Sequence, residues 1–461
     1  VAAPTPAASA TTAPLPSLEE VWARLKLYHV VWSIDQLRLV PPLYRNDPYF
    51  GINNALVPND ATAPLMRGMG ATTDRIEARW DVIEPAPGVY RFDDLDRLVD
   101  EGARWNFAIV LVVDGAPAWA VSAPQYVGAG PPAKLGEPAL QPDGTPNPRS
   151  PWSQFVGALA ARYGQRIGTW EIWNEPNFRD FWHGSADDYA MLFRVARQSI
   201  RAADPTASVI LAGLVVDDGS FLRAVVHDLC PKGDCANPPF DGVAWHVYTD
   251  PTNVLNVAQI TRSILAPYHF DVPIWVTEGN AAVDDPQAPA DALVGPDSVS
   301  LAEQAAFVLQ LYALSRVADV RTVMIYRALD VDEERHYWGL FRAYWSARPA
   351  ALAYSTAARW LSNVTDAQLS HPLPGVTEVD LLRSNERVRV FWNSSSASQS
   401  VDVKVSGPAA KLIDANGQET SPPIRSNLAD LTVKVTLSAA PPHPASRPTL
   451  GTPVILVDGS R

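Results

Sequence analysis

The sequence predicts an α/β fold, a (β/α)8 TIM barrel followed by a C-terminal antiparallel β-sandwich. Three observations carry that expectation. From about Phe50 to Leu361, short β-rich runs alternate with longer segments of helical spacing. Eight such runs can be marked, and eight is the closure number of a parallel barrel covered by helices. After Trp360 the helical spacing stops, and short alternating runs with turn residues between them take over, the signature of an antiparallel sandwich.

Taken in order, the chain opens with VAAPTPAASATTAPLPS, a Pro/Ala/Thr/Ser stretch that cannot pack. Residues 1–17 are therefore expected to be a flexible leader, the remainder of a removed signal peptide, which implies an exported (secreted, cell-surface or periplasmic) protein. Residues 18–47 show no clear period and are expected to add a helix or an edge strand against the sandwich. The barrel is expected over 48–361 and the sandwich over 362–461. The barrel strands read YFGINNA, TTDRIEA, FAIVLVVD, TWEIWNEP, SVILAGLV, VAWHVY, PIWVTEG and TVMIYRA. Their near-continuous apolar character suits a sheet covered on both faces. Helical spacing between them is clear in FDDLDRLVDEGARW, WSQFVGALAARYG and LAEQAAFVLQLYALSRV. A doubly wound open sheet is the alternative, but the glycine-rich phosphate turn it would normally carry is absent. The sandwich runs are VTEVDLLR, RVRVFWN, VDVKVSG, AKLIDA, LTVKVTL and TPVILVDG.

Composition narrows the function. The 461 residues are 47% hydrophobic and carry a net charge of -13 without a basic run. Nucleic acid and anionic membranes both demand clustered Lys and Arg, so neither is an expected partner. The longest apolar runs are far too short to span a bilayer. The two cysteines, Cys230 and Cys235, are separated by PKGD in an expected loop. Two thiols are too few for a structural zinc site. A local disulfide is favoured over free thiols in an exported chain. No metal or cofactor is expected.

Polar residues gather at the expected strand ends, where a barrel places its ligands. Arg75 and Glu77 lie on the second strand, Asn174 and Glu175 end the fourth, His246 and Tyr248 the sixth, and Glu278 the seventh. Two carboxylates flanking a glycosidic bond are the minimum machinery for hydrolysing it, one protonating the leaving oxygen and the other attacking carbon or activating water. The attacking group needs donors, for which Arg75 and Tyr248 are suitable beside Glu278. The acid needs a drier neighbourhood, and Trp173 could supply an apolar wall for Glu175. Glu171 shares strand parity with Trp173, so both are expected to face the barrel interior, where Glu171 needs a buried partner. Among the 15 tryptophans, Trp105 and Trp360 fall in helical patterns and read as core. Trp119, Trp182, Trp338 and Trp345 fall in loops, where flat rings can stack on sugars. Asp330, Glu333 and Glu334 read first as a solvated acidic loop.

WNEP at Trp173–Pro176 and TEG at Thr277–Gly279, with HVY at His246–Tyr248 between them, resemble the clan of retaining glycoside hydrolases built on (β/α)8 barrels. DRIEARWDVIEPAPGVYRF resembles that clan's second strand and the loop after it, and the layout is closest to the β-xylosidase-like family 39 branch. The resemblance implies Glu175 as acid/base and Glu278 as nucleophile of a double displacement on a β-linked oligo- or polysaccharide. It implies Asn174 on the sugar 2-hydroxyl, Tyr248 bonded to Glu278, Arg75 keeping Glu278 ionised and His246 lining the subsite. The branch usually ends strand eight with a tyrosine–tryptophan pair, whereas this chain has Tyr326 and Arg327. Trp338 is expected to replace the missing platform; alternatively Arg327 reaches the sugar, which would favour a carboxylated or heavily hydroxylated substrate. A transglycosidase uses the same chemistry with a sugar in place of water. A non-catalytic carbohydrate-binding protein would be expected to have lost one carboxylate.

Overall fold

The computed structural model describes residues 46–56, 62–288, 292–331, 336–384, 386–427, 430–442 and 450–458. The expected leader, nearly all of the 18–47 segment, and Glu333 and Glu334 lie outside the described residues. The barrel strands are β1 (Phe50–Asn53), β2 (Thr73–Arg79), β3 (Ala108–Asp114), β4 (Thr169–Ile172), β5 (Ser208–Leu211), β6 (Gly213–Val215), β7 (Val243–Tyr248), β8 (Ile274–Asn280) and β9 (Val320–Ile325). Their hydrogen-bonded order is β5-β4-β3-β2-β1-β9-β8-β7-β6, with parallel pairing throughout. β5 and β6 are one barrel strand broken at Ala212, so the sixth, seventh and eighth expected strands are β7, β8 and β9. The amide of Leu211 donates to the Gly242 carbonyl at 3.0 Å, which carries β5 onto the chain entering β7 and closes the ring.

A helix follows each barrel strand: α1 (Thr62–Gly68), α2 (Asp93–Arg104), α3 (Pro151–Tyr163), α4 (Ala186–Ala203), α5 (Ser220–Leu229), α6 (Asn253–Leu265), α7 (Leu301–Val317) and α8 (Pro349–Trp360). Local chemistry sets several starts. Ser150 caps α3 just before Pro151, and α4 and α7 begin with reciprocal capping boxes, Ser185 with Asp188 and Ser300 with Glu303. Each cap is worth about 1 kcal/mol. α7 is buried continuously from Glu303 to Ser315, because the barrel covers one side and the sandwich the other. That double cover explains why its sequence is apolar nearly all round.

The sandwich pairs a six-stranded sheet with a three-stranded one. The strands are β10 (Asp366–Leu373), β11 (Val376–Leu382), β12 (Arg387–Asn393), β13 (Gln399–Val405), β14 (Lys411–Ile413), β15 (Glu419–Thr420), β16 (Ile424–Asn427), β17 (Asp430–Leu437) and β18 (Val454–Asp458). The orders are β10-β11-β12-β18-β14-β15 and β13-β17-β16. Alternation along β12 divides the two faces. Val388, Val390 and Trp392 join the core shared with the barrel, while Phe391 joins Val403, Val433 and Val435 between the sheets. The six sandwich runs marked in the sequence are all strands. β10, β15 and β16 were not marked, and each is short or largely exposed with weak alternation.

Candidate active site

Inward-facing residues stack in layers. Val110, Ile210, Ala244, Trp275 and Met324 form a closed apolar layer. On β7 and β8 the interior turns polar two residues further along, at His246 and Thr277, as strand alternation returns the next side chain to the same face. Arg75, 2% exposed, is the hub of that second layer. Its Nε and Nη2 donate to Glu171 at 2.9 and 3.1 Å, its Nη1 to Glu278 Oε1 at 2.5 Å, and its Nη2 also to Asn174 Oδ1 at 2.9 Å. Burial opposes the charge on Arg75, but Glu171 and Glu278 outweigh it and raise its pKa. The guanidinium therefore stays charged. Glu171 has the buried partner the sequence demanded, and it also accepts from the Gly213 amide at 2.7 Å and from Thr277 Oγ1 at 3.2 Å.

Glu278 accepts a second donor, the Tyr248 hydroxyl, on Oε2 at 2.5 Å. Burial, followed by the Glu278 charge, pushes the Tyr248 pKa well up, so its proton stays in that bond. Glu175 meets His246 Nδ1 at 2.6 Å through Oε1, and the same nitrogen is 3.4 Å from Glu278 Oε2. Burial works against protonating His246, yet the carboxylates of Glu278 and Glu175 prevail and its pKa is raised. One oxygen of Glu175, one of Glu278 and a ring nitrogen of His246 lie within 4.8 Å of one another. These atoms could offer ligands to a cation, but Arg75 already neutralises Glu278, and a second cation would meet its charge. Gly213 makes the approach possible. A Cβ there would stand 2.0 Å from His246 Nε2 and 2.7 Å from Thr277 Oγ1.

Both glutamates reach the mouth by leaving strand alternation. β4 ends at Ile172, and Trp173 and Glu175 then take left-handed backbone with φ of 74° and 43°. Such residues cost about 1–2 kcal/mol each when they carry a Cβ. The cost is offset by ladder bonds that continue regardless, Trp173 N–H to Val113 and Glu175 N–H to Gly213, both 3.0 Å. The same turn corrects the expectation for Trp173. It does not wall Glu175 but packs outward on Trp152 and Trp182, its indole N–H bonded to the Phe181 carbonyl. In β8 the register with β7 shifts between Trp245 and His246, placing His246 opposite Glu278. This bulge turns two consecutive side chains, Thr277 and Glu278, inward.

Other expected site residues divide. Trp338 lies edge-on to Tyr248, centroids 5.0 Å apart, and Tyr326 lies 6.2 Å from Tyr248, so these three rings and the nucleophile candidate form one wall. Arg327 is buried beside them, its guanidinium 5.6 Å from the Tyr326 ring centroid across a cis peptide bond. Trp119 stands apart from the carboxylates in its described contacts. Its indole N–H binds the Glu84 carbonyl and its ring packs edge-on to Trp80. Trp182 is 1% exposed with its N–H on the Ser185 carbonyl, so it is core rather than a stacking surface. Asp330 is not a solvated loop acid. It is buried and paired with Arg348 at 2.6 Å. Cys230 and Cys235 form the disulfide favoured for them. Sequence reading missed Asn53, whose Oδ1 accepts from Arg75 at 3.4 Å and whose Nδ2 binds the Thr277 carbonyl. It also missed Asn280, which donates to the Tyr326 and Trp338 carbonyls. A polar residue ending an otherwise apolar strand was the available signal for both.

The chain is similar to known proteins over parts of its length. The family model for glycosyl hydrolases family 39 matches residues 142–288, a span that includes Glu175, His246, Tyr248 and Glu278. Over that span the chain is similar to family 39. A second family model, described as beta-galactosidase, matches residues 58–201. Among curated proteins it is 24% identical over 221 residues to a beta-xylosidase of Geobacillus stearothermophilus, covering 42% of this chain and 41% of that one. It is 30% identical over 105 residues to a beta-xylosidase of Caldicellulosiruptor saccharolyticus, covering 21% and 20%. The chain thus matches less than half the length of either curated relative. Among solved structures, a family 39 glycoside hydrolase from Bacteroides cellulosilyticus superposes with a TM-score of 0.65 at 19% identity, covering 90% of this chain and 81% of that one. A family 39 enzyme from Xanthomonas axonopodis gives 0.58 at 14%, covering 93% and 96%. At those identities the structural matches speak for the fold. Among the described residues no helix is long and apolar enough to cross a membrane.

Proposed function

We propose that the chain is a retaining glycoside hydrolase that cleaves a β-glycosidic bond by double displacement. The observation that carries this reading is the facing pair itself, Glu175 and Glu278, with oxygens within 4.8 Å of one another. Retaining enzymes hold their carboxyl groups about 5–5.5 Å apart, whereas inverting ones need about 6.5–9.5 Å for an intervening water. Glu278, compensated by Arg75 and Tyr248, attacks the anomeric carbon and forms a glycosyl ester. Glu175 gives its proton to the departing oxygen, then takes one from the water that cleaves the ester. His246 holds the Glu175 carboxyl in place through its 2.6 Å contact. Asn174, fixed by Arg75 through its Oδ1, keeps its amide N–H groups for a sugar hydroxyl.

Because the two curated relatives described above are beta-xylosidases, aryl β-xylosides head the panel of aryl β-glycosides, oligosaccharides and polysaccharides on which activity is to be sought. Glu278→Ala is expected to lose turnover by roughly 10⁴-fold or more. Glu175→Ala should spare substrates with good leaving groups and accept azide to give a β-glycosyl azide, since removal of the acid/base leaves the glycosyl ester open from one face. Full turnover by Glu278→Ala on an active substrate would refute the mechanism. The closed Cys230–Cys235 disulfide supports export, because such bonds persist in oxidising compartments. Fractionation of the source cells, with the chain found only in the cytosol, would rule export out.

A further inference from the structure

The loops following β8 and β9 contain a buried chain of four charges that the catalytic pair does not use. Asp285 accepts from Arg342 Nε at 2.7 Å and Nη2 at 3.0 Å, and from Arg348 Nε at 2.8 Å. Arg348 Nη2 then reaches Asp330 at 2.6 Å. The four are 5, 6, 1 and 5% exposed for Asp285, Arg342, Arg348 and Asp330. Two acids and two bases balance, but burying them gives little net stability compared with an apolar core. What a planar guanidinium fork does supply is direction.

That direction converges on one residue. Asp330 Oδ1 accepts from the Gly339 amide at 2.7 Å, and Arg348 Nη1 donates to the Gly339 carbonyl at 2.6 Å. A Cβ at Gly339 would lie 2.4 Å from the Phe341 carbonyl oxygen, so only glycine admits the grip. One residue back, the Trp338 carbonyl accepts from Asn280 Nδ2 at 2.6 Å and Gln304 Nε2 at 3.1 Å. Trp338 is therefore held from both sides on a long irregular loop, the kind of segment that is otherwise mobile. Its ring meets Tyr248, whose hydroxyl is bonded to Glu278.

We propose that Asp285, Asp330, Arg342 and Arg348 are positioning residues that lock Trp338 as an apolar stacking wall for the sugar bound at Glu278. The inference rests on the glycosidase reading above. A preset wall removes the ordering cost of forming the subsite when sugar arrives, and it holds Tyr248 on the nucleophile.

The test is a mutant cycle on the full chain with 4-nitrophenyl β-D-xyloside, or the aryl β-glycoside selected by the activity panel. Asp330→Asn keeps an acceptor for Gly339 while removing the charge; Arg342→Lys is the milder second variant. Trp338→Ala and Asp330→Asn are each expected to raise KM about tenfold, as for loss of one aromatic contact, with kcat changed far less. In a Trp338→Ala background, Asp330→Asn should add nothing. A readout free of turnover is the difference in tryptophan emission between each protein and its Trp338→Phe counterpart, expected to shift to the red in Asp330→Asn. Multiplying KM effects, or a lower Tm with unchanged KM and emission, would overturn the assignment, as would failure of both charge variants to fold. If the parent hydrolyses no glycoside, the glycosidase reading fails first, and the emission difference alone decides whether the four charges position Trp338.

Discussion

Val110, Ile210, Ala244, Trp275 and Met324 close the lower barrel with hydrocarbon, while Asn53, Arg75, Glu171, His246 and Thr277 fill the level above with charge and hydrogen bonds. Strands β7 and β8 contribute to both levels one pleat repeat apart, Ala244 with His246 and Trp275 with Thr277, and the other strands supply one level each in this comparison. The lower layer depends on volume and tolerates any well-packed apolar set. The upper layer depends on pairing, because each buried charge left alone would cost several kcal/mol. Stability and chemistry are therefore separated along the barrel axis, and substitutions in the two layers should fail in different ways.

The largest contrast is expected at Arg75. Arg75→Met strands Glu171 and Glu278 and frees Asn174, so kcat/KM should fall by about 10³-fold with a stability loss of about 3–5 kcal/mol. Steady-state kinetics beside urea unfolding measure both, and an active Arg75→Met enzyme would erase the distinction between the layers. Met324→Ala, one level down, should cost about 2–5 kcal/mol through the cavity it leaves, with kcat essentially unchanged in the folded fraction. A kcat lost in proportion to that at Arg75 would show that the layers are coupled. The smallest effect concerns pH. With its pKa raised in the folded state, His246 contributes stability that is fully present below the ordinary imidazole value of about 6.5 and is lost as pH rises through its raised value. Tm measured across neutral to alkaline pH should fall less steeply in His246→Asn than in the parent; equal slopes would assign the pH dependence elsewhere.

Much of this was legible beforehand. The eight barrel runs could be marked because buried parallel strands are almost continuously apolar, and the six sandwich runs because they alternate. The same rule hid β10, an edge strand whose packed face carries only the half-buried Ala367, Leu369 and Leu373. Arg75, Glu175, His246, Tyr248 and Glu278 could be singled out as polar residues at apolar strand ends, and the structure brings them together. Trp182 is singled out on a weaker signal, an aromatic ring in a loop, which does not distinguish a stacking surface from a ring buried under the loop. Asp330 misled for the converse reason. Its partners, Arg348 and the Gly339 amide, lie 18 and 9 positions away in sequence, so nothing local revealed that it was paired.

By itself, the sequence determined which residue types end each strand and, through the order of strands in a barrel, that Glu175 and Glu278 belong to one mouth. Their orientation was decided only in three dimensions. Strand alternation extended from Glu171 would have aimed Trp173 and Glu175 inward together, and alternation through Thr277 would have aimed Glu278 away from it. Left-handed residues after β4 and the register shift between β7 and β8 break that alternation. Neither break has a local signature, because neither is favoured locally. Both are held by ladder bonds and by the buried charges around Arg75, interactions that exist only once the barrel has closed.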